Sequence, residues 1–203
     1  MPNHDVSEMM SQARTAHASA IAFFRGFLRC PYQVGSIIPS SRFLERRLVE
    51  VAAICEARSV VEFGPGTGGT TRALLRALPA NGRLLAMEID PQFTELLRTE
   101  IADDRFIVHE GSAQQIESAL AGHKLAAPQA VISGIPFSTM TEQVGKCILN
   151  AVRTTLAPGG RFVAYQVSDR VAVLARDIFG RARMEVELLN IPPLRVYRWE
   201  KPR

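Results

Sequence analysis

The chain has 203 residues, of which 47% are hydrophobic and 22% charged, a composition typical of one folded domain. No apolar run reaches the roughly 18 residues of a membrane-spanning helix, and three isolated cysteines exclude a disulfide scaffold and a cysteine-only metal site. We expect no metal ion and, with Asp5 and Glu8 so early, no signal peptide. The net charge of +4 is concentrated at residues 1–58 and 153–203, around an acidic middle. This favours an anionic partner, either nucleic acid or a membrane surface.

The predicted elements begin with a helix over residues 7–29, whose apolar residues recur every three or four positions. A loop over 30–41 and a second helix over 41–55 follow. Strands are then predicted at 60–63, 83–88, 106–109, 130–135 and 161–166, helices at 70–78, 91–101, 141–156 and 168–179, and final strands at 184–191 and 194–199. This alternation predicts a mainly parallel sheet covered on both faces, with the last two strands pairing antiparallel at one edge.

A glycine-rich loop, Gly64-Pro65-Gly66-Thr67-Gly68, joins the first of these strands to its helix. Glycine lets a backbone approach a ligand where a Cβ would collide, and doubly wound sheets bind ligands near this turn. The helix lacks the lysine of a nucleoside triphosphatase loop. Glu88 ends the second strand about 20 residues further on, where its carboxylate can accept both ribose hydroxyls. The alternative for Glu88 is a solvated strand end.

The run from Val60 to Gly68, together with Met87-Glu88-Ile89-Asp90, resembles the class I S-adenosylmethionine-dependent methyltransferases. It is similar in particular to the ribosomal RNA adenine dimethyltransferases and to the bacterial phosphatidylethanolamine N-methyltransferases. Stretches 34–41, 133–137 and 190–197 favour the phospholipid branch. The resemblance implies an α/β, Rossmann-like, seven-stranded, mostly parallel sheet with an antiparallel edge strand and helices on both faces. Residues 59–203 would form the methyltransferase domain, and residues 1–58 a lid toward membrane and substrate.

The same resemblance implies S-adenosylmethionine as cofactor. The candidate contacts are Glu62, Gly64, Gly66, Gly68, Glu88, Ile89, Ser112, Ala113 and Ser133. Glu62 would contact the methionine amine, the glycines would allow close backbone approach, Glu88 would hold the ribose, and Ile89 would lie on the adenine. Ser112 and Ala113 stand where the family often has an aspartate and an alanine, so Ser112 is either an adenine contact or a helix N-cap.

The residues after the fourth strand bear on the substrate. RNA adenine methyltransferases carry Asn or Asp there, then an apolar residue, Pro and an aromatic, whereas this chain has Gly134-Ile135-Pro136-Phe137. The polar acceptor is missing, and Ser133, one residue earlier, would face the opposite way. We therefore favour methylation of phosphatidylethanolamine toward phosphatidylcholine over methylation of RNA adenine, with a non-catalytic cofactor-binding module as a third possibility.

Aromatic faces suit the methylated cation that a lipid amine becomes. The candidate acceptor-site residues are Phe137, Tyr32 and Tyr165, with Phe137 favoured and ordinary core packing as its alternative. Arg195 and Arg198 are candidates for the lipid phosphate, or else solvated edge-strand charges.

The helix over 7–29 combines an apolar face with neighbouring arginines, as an interfacial membrane helix does. The candidate membrane contacts are Arg14, Phe24, Arg25 and Phe27. Packing of this helix on the domain's own core is the alternative. We expect a cytoplasmic monomer associated peripherally with the anionic inner face of the cell membrane, with a phospholipid substrate and no nucleic-acid partner.

Overall fold

The computed structural model describes residues 41–190 and 192–203. The strands are β1 (Ser59–Phe63), β2 (Arg83–Glu88), β3 (Phe106–Glu110), β4 (Ala130–Ser133), β5 (Arg161–Gln166), β6 (Arg183–Glu187) and β7 (Leu194–Glu200). The helices are α1 (Arg42–Val51), α2 (Gly69–Ala77), α3 (Pro91–Glu100), α4 (Ile116–Gly122), α5 (Glu142–Thr155) and α6 (Arg170–Phe179). Short 3₁₀ turns cover Ile54–Glu56, Ala113–Gln115 and Phe137–Thr139. The predicted helix over 7–29 lies outside the described residues.

The second predicted helix and the fourth predicted strand end earlier than expected, each for a local reason. The helix predicted over 41–55 ends at Val51, because Ala53 adopts the left-handed conformation with φ 53°. The strand predicted over 130–135 ends at Ser133. Beyond Gly134 the chain leaves the sheet, and the carbonyl of Ile135 accepts a hydrogen bond from the buried side chain of Gln166 at 2.8 Å rather than from a strand.

The seven strands form one sheet in the order β3-β2-β1-β4-β5-β7-β6. Strands β1 to β5 are parallel, and β7 runs antiparallel to both β5 and β6. The predicted antiparallel pairing of the last two strands at one edge is confirmed, with β7 inserted between β5 and the outermost strand β6. The strand order reverses direction at β1, so the crevice beyond the carboxyl ends of β1 and β4 is the place where such sheets bind ligands.

Apolar side chains cover both faces of the sheet, and alternation along the strands decides which residue faces which layer. Val61 and Phe63 of β1 face one layer, which includes residues of α4, α5 and α6. Within that layer Phe162 and Trp199 stack with ring centroids 5.3 Å apart. Val60 faces the other layer, formed with α1 and α2. Glu62 lies between Val61 and Phe63 in sequence and therefore faces the layer of α1 and α2.

Helix α1 is part of the same compact unit as the sheet. Its Leu44 and Leu48 have no exposed surface and pack in the second layer. A domain boundary at residue 58, as expected from the sequence, would therefore cut through this packing. Any separate N-terminal unit ends before α1.

An ion pair fixes α1 to the edge strand β6. Arg47 Nε lies 2.7 Å from Glu187 Oε2, and the same guanidinium contacts Glu185. Glu187 is buried, and its second oxygen accepts a hydrogen bond from the Leu189 backbone N–H at 3.0 Å. The Arg47 guanidinium is the main cause that holds the pKa of Glu187 below its ordinary value. The hydrogen bond from Leu189 to the Glu187 side chain forms a turn directly after β6. This turn explains why β6 ends at Glu187, before the predicted end at residue 191.

Replacing Arg47 by Ala should lower the free energy of unfolding by about 1–3 kcal/mol, because it leaves the buried Glu187 carboxylate without its cation. Since the native pKa of Glu187 is lowered, this stabilisation is present at neutral pH and is lost as the pH falls below about 4. Urea denaturation of both proteins near pH 7 and near pH 3 measures the difference. The control is Arg46→Ala, which removes the fully exposed pair with Glu50 and should change little. Equal losses from the two variants would contradict this role for Arg47.

Candidate active site

Two glycines follow neighbouring central strands at the carboxyl edge, Gly64 after β1 and Gly134 after β4. Backbone hydrogen bonds of 3.0 Å keep both in the sheet, from Gly64 N–H to a β2 carbonyl and from Gly134 N–H to the carbonyl of Phe63. One residue beyond the paired register, Glu88 lies level with Gly64 and Tyr165 lies level with Gly134. We call Glu88, Gly64, Gly134 and Tyr165 the edge row. At the usual strand spacing of about 4.8 Å it spans roughly 14 Å, with no side chain between its two ends.

Glu62 lies just before this row on β1, with only 1% of its surface exposed. Its Oε2 accepts a hydrogen bond of 2.7 Å from the hydroxyl of Thr71 on α2. Its Oε1 is buried and has no hydrogen-bond partner among the described residues. Burial raises the pKa of Glu62 to about 7, the Thr71 hydroxyl opposes this, and the charge of Glu88 raises it further. An acceptor oxygen left in this state fits a ligand that brings its own N–H donors and positive charge.

Glu88 is buried at the end of β2, so it is not a solvated strand end. Its Oε1 accepts from the N–H groups of Ile89 at 2.8 Å and Asp90 at 3.0 Å, and its Oε2 accepts from that of Gly66 at 3.2 Å. Burial raises the pKa of Glu88, and these three bonds oppose the increase. A carboxylate offers about four acceptor positions. One therefore remains for a ribose hydroxyl, not the two expected, unless the long bond from Gly66 is exchanged.

The glycines of the loop serve two different purposes. Gly66 has φ 55°, and a Cβ built on it would meet no atom within 4 Å, which leaves room for a ligand beside the backbone. Gly68 has φ 81°, but a Cβ there would lie 2.8 Å from Leu97 and 3.2 Å from Ile101. The missing side chain of Gly68 therefore makes space for the residues of and after α3, and close approach of its backbone to the cofactor stays a prediction.

The candidates near β3 lie at the surface of the crevice. Ile89, Ser112 and Ala113 are half-buried. The Ser112 hydroxyl accepts from Gln114 N–H at 3.3 Å, and the Gln115 side chain accepts from Ser112 N–H at 3.0 Å. The N-cap alternative for Ser112 is thus confirmed, and its hydroxyl still has a proton to donate.

Ser133 is separated from the other cofactor candidates. It is fully buried, and its hydroxyl has no hydrogen-bond partner in the described part of the chain. Because it is level with Phe63, it faces the layer of α5 and α6, on the opposite side of the sheet from Glu62. The prediction that Ser133 faces the opposite way from position 134 is confirmed. Ser133 therefore does not lie on the face of the sheet that Glu62 and Tyr165 share.

Phe137 belongs to the core. Its ring has no exposed surface and packs in the layer of α5 and α6. A Cβ on Gly145 of α5 would lie 3.6 Å from the ring, which shows how closely that helix approaches. The prediction of Phe137 as a substrate contact is therefore wrong, and the alternative of core packing is confirmed.

Tyr165 is half-buried on β5, at the end of the edge row. Its ring lies over Gly134, where a Cβ would be 2.8 Å from the ring carbon Cζ and would overlap the hydroxyl. Of the predicted acceptor-site aromatics, Tyr165 is the one that the structure brings to the crevice. Tyr32 lies outside the described residues.

The two predicted phosphate contacts do not form a pair. Arg195 is exposed near the carboxyl end of β5, and its guanidinium donates to the carbonyl of Val167. Arg198 is level with Val163 in the middle of the sheet. Three residues apart on one strand, they project from opposite faces. The membrane candidates Arg14, Phe24, Arg25 and Phe27 lie outside the described residues, and no helix within residues 41–190 and 192–203 is long and apolar enough to cross a membrane.

The sequence did not point to Thr71, although it holds Glu62. The signal is a polar residue inside the buried stripe of α2, alongside Ala73, Leu74 and Leu75. Such a residue is expected to bond to a buried polar group of the sheet.

No protein-family model matches the chain. Its sequence is similar to the ornithine lipid N-methyltransferase of Singulisphaera acidiphila, with 29% identity over 179 residues that make up 86% of this chain and 92% of that protein. It is also 32% identical over 149 residues to the ribosomal RNA small subunit methyltransferase A of Caulobacter vibrioides, covering 71% of this chain and 54% of that protein. The chain thus spans about half the length of that ribosomal RNA enzyme.

The fold is similar to that of an O-methyltransferase from Bacillus cereus in complex with SAH, with a TM-score of 0.64 and 16% identity over 94% of this chain and 91% of that one. The chain belongs to the class I S-adenosylmethionine-dependent methyltransferases. The residues of the crevice fit this cofactor. The unpartnered oxygen of Glu62 suits its ammonium group, and the space beside Gly66 suits close approach of the ligand to the backbone.

Glu62→Gln should make the methyltransferase more stable without cofactor and yet a poorer binder. The pKa of Glu62 is about 7 in the native state and lower in the unfolded chain. At pH values between these two pKa values, the native state binds more protons than the unfolded state. The stability of the wild type therefore falls as the pH rises toward 7. The variant has no carboxyl group to titrate at this position. Its free energy of unfolding should therefore exceed that of the wild type by roughly 2–3 kcal/mol near pH 8 and by little near pH 4. Its affinity for S-adenosylmethionine should fall at least about tenfold.

Urea denaturation and calorimetry measure the two effects. Glu110→Gln, at the exposed end of β3, is the control and should change neither. A stability difference that does not depend on pH would refute the assigned titration of Glu62.

Gly66→Ala should remove most cofactor binding, because the new methyl group enters the space beside the loop. The matched control is Gly180→Ala, since Gly180 has φ 78° and equally open surroundings at the end of α6. Both variants should lose stability because of the positive φ, and Gly180→Ala should lose more because its ψ of −156° lies in a region essentially restricted to glycine. Only Gly66→Ala should lose affinity in calorimetry. Equal affinities would show that the space beside Gly66 does not hold the cofactor.

Proposed function

We propose that this methyltransferase N-methylates the amine of a membrane phospholipid, converting phosphatidylethanolamine and its methylated intermediates toward phosphatidylcholine. The observation that carries the proposal is the extent of the similarity. It runs along 92% of an ornithine lipid N-methyltransferase but along only 54% of a ribosomal RNA methyltransferase. The remainder of the longer RNA enzyme has no counterpart in this match.

As the methyl acceptor, the geometry of the crevice favours an amine on a flexible headgroup rather than the exocyclic amine of a flat nucleic-acid base. Position 134 has no side chain to accept hydrogen bonds from an exocyclic base amine. The aromatic residue that would stack on a base, Phe137, is buried in the core. Tyr165 supplies a ring and a hydroxyl at the same place from a neighbouring strand. RNA adenine methylation remains the second candidate, favoured by the 32% identity to the Caulobacter enzyme.

When bound, S-adenosylmethionine supplies an electrophilic methyl group on a sulfonium sulfur. Glu62 and the loop at Gly66 would hold the cofactor beside β1, and Glu88 would orient its ribose. The acceptor amine, neutral and placed at the Tyr165 end of the edge row, would take the methyl group through its nitrogen lone pair, with the carbon–sulfur electron pair leaving on sulfur. After the first two transfers the nitrogen would lose a proton to water, and after the third it would remain a quaternary cation with no proton to lose. Alignment supplies much of the rate, because the reaction is an in-line displacement.

Residues preceding α1 are proposed to dock on the membrane surface, through Arg14, Phe24, Arg25 and Phe27. An anionic bilayer attracts basic segments by about 1 kcal/mol for each Lys or Arg near it. The enzyme would then act as a monomer bound peripherally to the membrane.

The proposal is tested with cofactor carrying a labelled methyl group and three substrates: vesicles containing phosphatidylethanolamine, vesicles containing ornithine lipid, and ribosomal RNA. We expect label in phosphatidylethanolamine, and none with Gly66→Ala. Label in RNA alone would replace the proposal by the second candidate. Label in ornithine lipid alone would keep lipid N-methylation and reject the phospholipid, and label in no substrate would reject both.

A further inference from the structure

Tyr165 fills the volume that a side chain at position 134 would otherwise occupy. The phenol lies over Gly134 so closely that any Cβ there would collide with the hydroxyl and with Cζ, at 2.8 Å from the latter. Gly134 and Tyr165 are neighbours on adjacent parallel strands, one residue beyond the last paired residues Ser133 and Ala164. The polar oxygen missing from the end of β4 is thus supplied from β5.

The position of this oxygen is fixed by the sheet. Tyr165 is flanked on β5 by the pairing of Ala164 with Tyr197 and of Gln166 with Arg195 of β7. Gln166 also holds the loop after Gly134, by its bond to the Ile135 carbonyl. The ring packs against the apolar layer of α1 and α2. It therefore shares the face of the sheet with Glu62 and Glu88, which are proposed to hold the cofactor.

We propose that the Tyr165 hydroxyl oxygen accepts an N–H hydrogen bond from the lipid amine and thereby directs the nitrogen lone pair at the methyl group. The proposal rests on the proposed lipid N-methylation and adds the residue that orients the acceptor. A phenol can accept such a bond, and its ring face stabilises the cation that forms. With the bond made, the amine nitrogen gains the methyl carbon, and its proton passes to water after transfer.

The proposed hydrogen bond predicts that the Tyr165 hydroxyl contributes differently to the three successive methylations. Neutral phosphatidylethanolamine and its monomethyl derivative each carry an N–H that can bond to the phenol oxygen. The neutral dimethyl derivative carries none. The hydroxyl therefore acts in the first two transfers, whereas the ring face can act in all three.

The experiment compares the wild type with Tyr165→Phe on vesicles containing phosphatidylethanolamine, its monomethyl derivative or its dimethyl derivative, measured separately. We expect kcat/KM to fall about three- to tenfold on the first two lipids, the loss of one hydrogen bond. It should stay within about twofold on the dimethyl lipid, with cofactor affinity unchanged. The matched control is Tyr197→Phe, which removes the hydroxyl of a buried tyrosine on the opposite face of the sheet. It should affect all three lipids equally or not at all.

A second variant, Gly134→Ala, tests the shared volume. Its methyl group must displace the phenol, so it should reproduce the loss on the first two lipids, while Gly122→Ala, with open space around it, should not. If Tyr165→Phe lowers activity equally on all three lipids, or on none, Tyr165 does not bind the amine N–H and the inference is wrong. If the wild type methylates none of these lipids, the proposed function itself fails.

Discussion

The burial of the Glu62 carboxylate at the end of β1 is the constraint on which the rest of the site depends. A carboxylate in this position is ionised at a cost, which its pKa of about 7 expresses. One neutral donor, the Thr71 hydroxyl, offsets part of that cost. The other carboxylate oxygen of Glu62, Oε1, has no hydrogen-bond partner among the described residues. The two packed layers must therefore hold a carboxylate whose ionised form is disfavoured by burial. A bound cation would stabilise that form, so cofactor binding would also stabilise the fold.

Several parts of this site could be predicted because they follow from local chemistry. A buried parallel strand is a continuous apolar run, so Glu62 inside Val60–Phe63 already marks a polar group directed into the core. The open space beside Gly66 follows from a glycine loop between strand and helix. The position of Glu88 at the end of the second strand likewise needs only the count of residues from that loop.

Other parts depend on relations between strands that no local pattern contains. The place of Gly68 is decided by the approach of Leu97 from another helix, and the burial of Phe137 by the turn that follows β4. The partnership of Gly134 with Tyr165 requires the register of β4 on β5, more than 30 positions apart in sequence. Arg198 looked accessible for phosphate because the register of β7 on β5 was unknown, and that register places it in mid-sheet.

The edge row also separates the buried carboxylates from the end of the crevice where the acceptor amine is proposed to bind. Glu62 and Glu88 lie toward the β1–β2 end, where negative charge suits a cationic cofactor. At the other end, Gly134 has no side chain and Tyr165 carries a phenol rather than a carboxylate. This division matters because a lipid amine attacks only when it is neutral, and a carboxylate beside it would favour the unreactive ammonium form. In the proposed reaction, a phenol would orient the amine through a neutral hydrogen bond and leave the protonation of the amine to the solvent. The arrangement that would draw the cofactor to β1 would therefore leave an acceptor amine at β4 and β5 free to react.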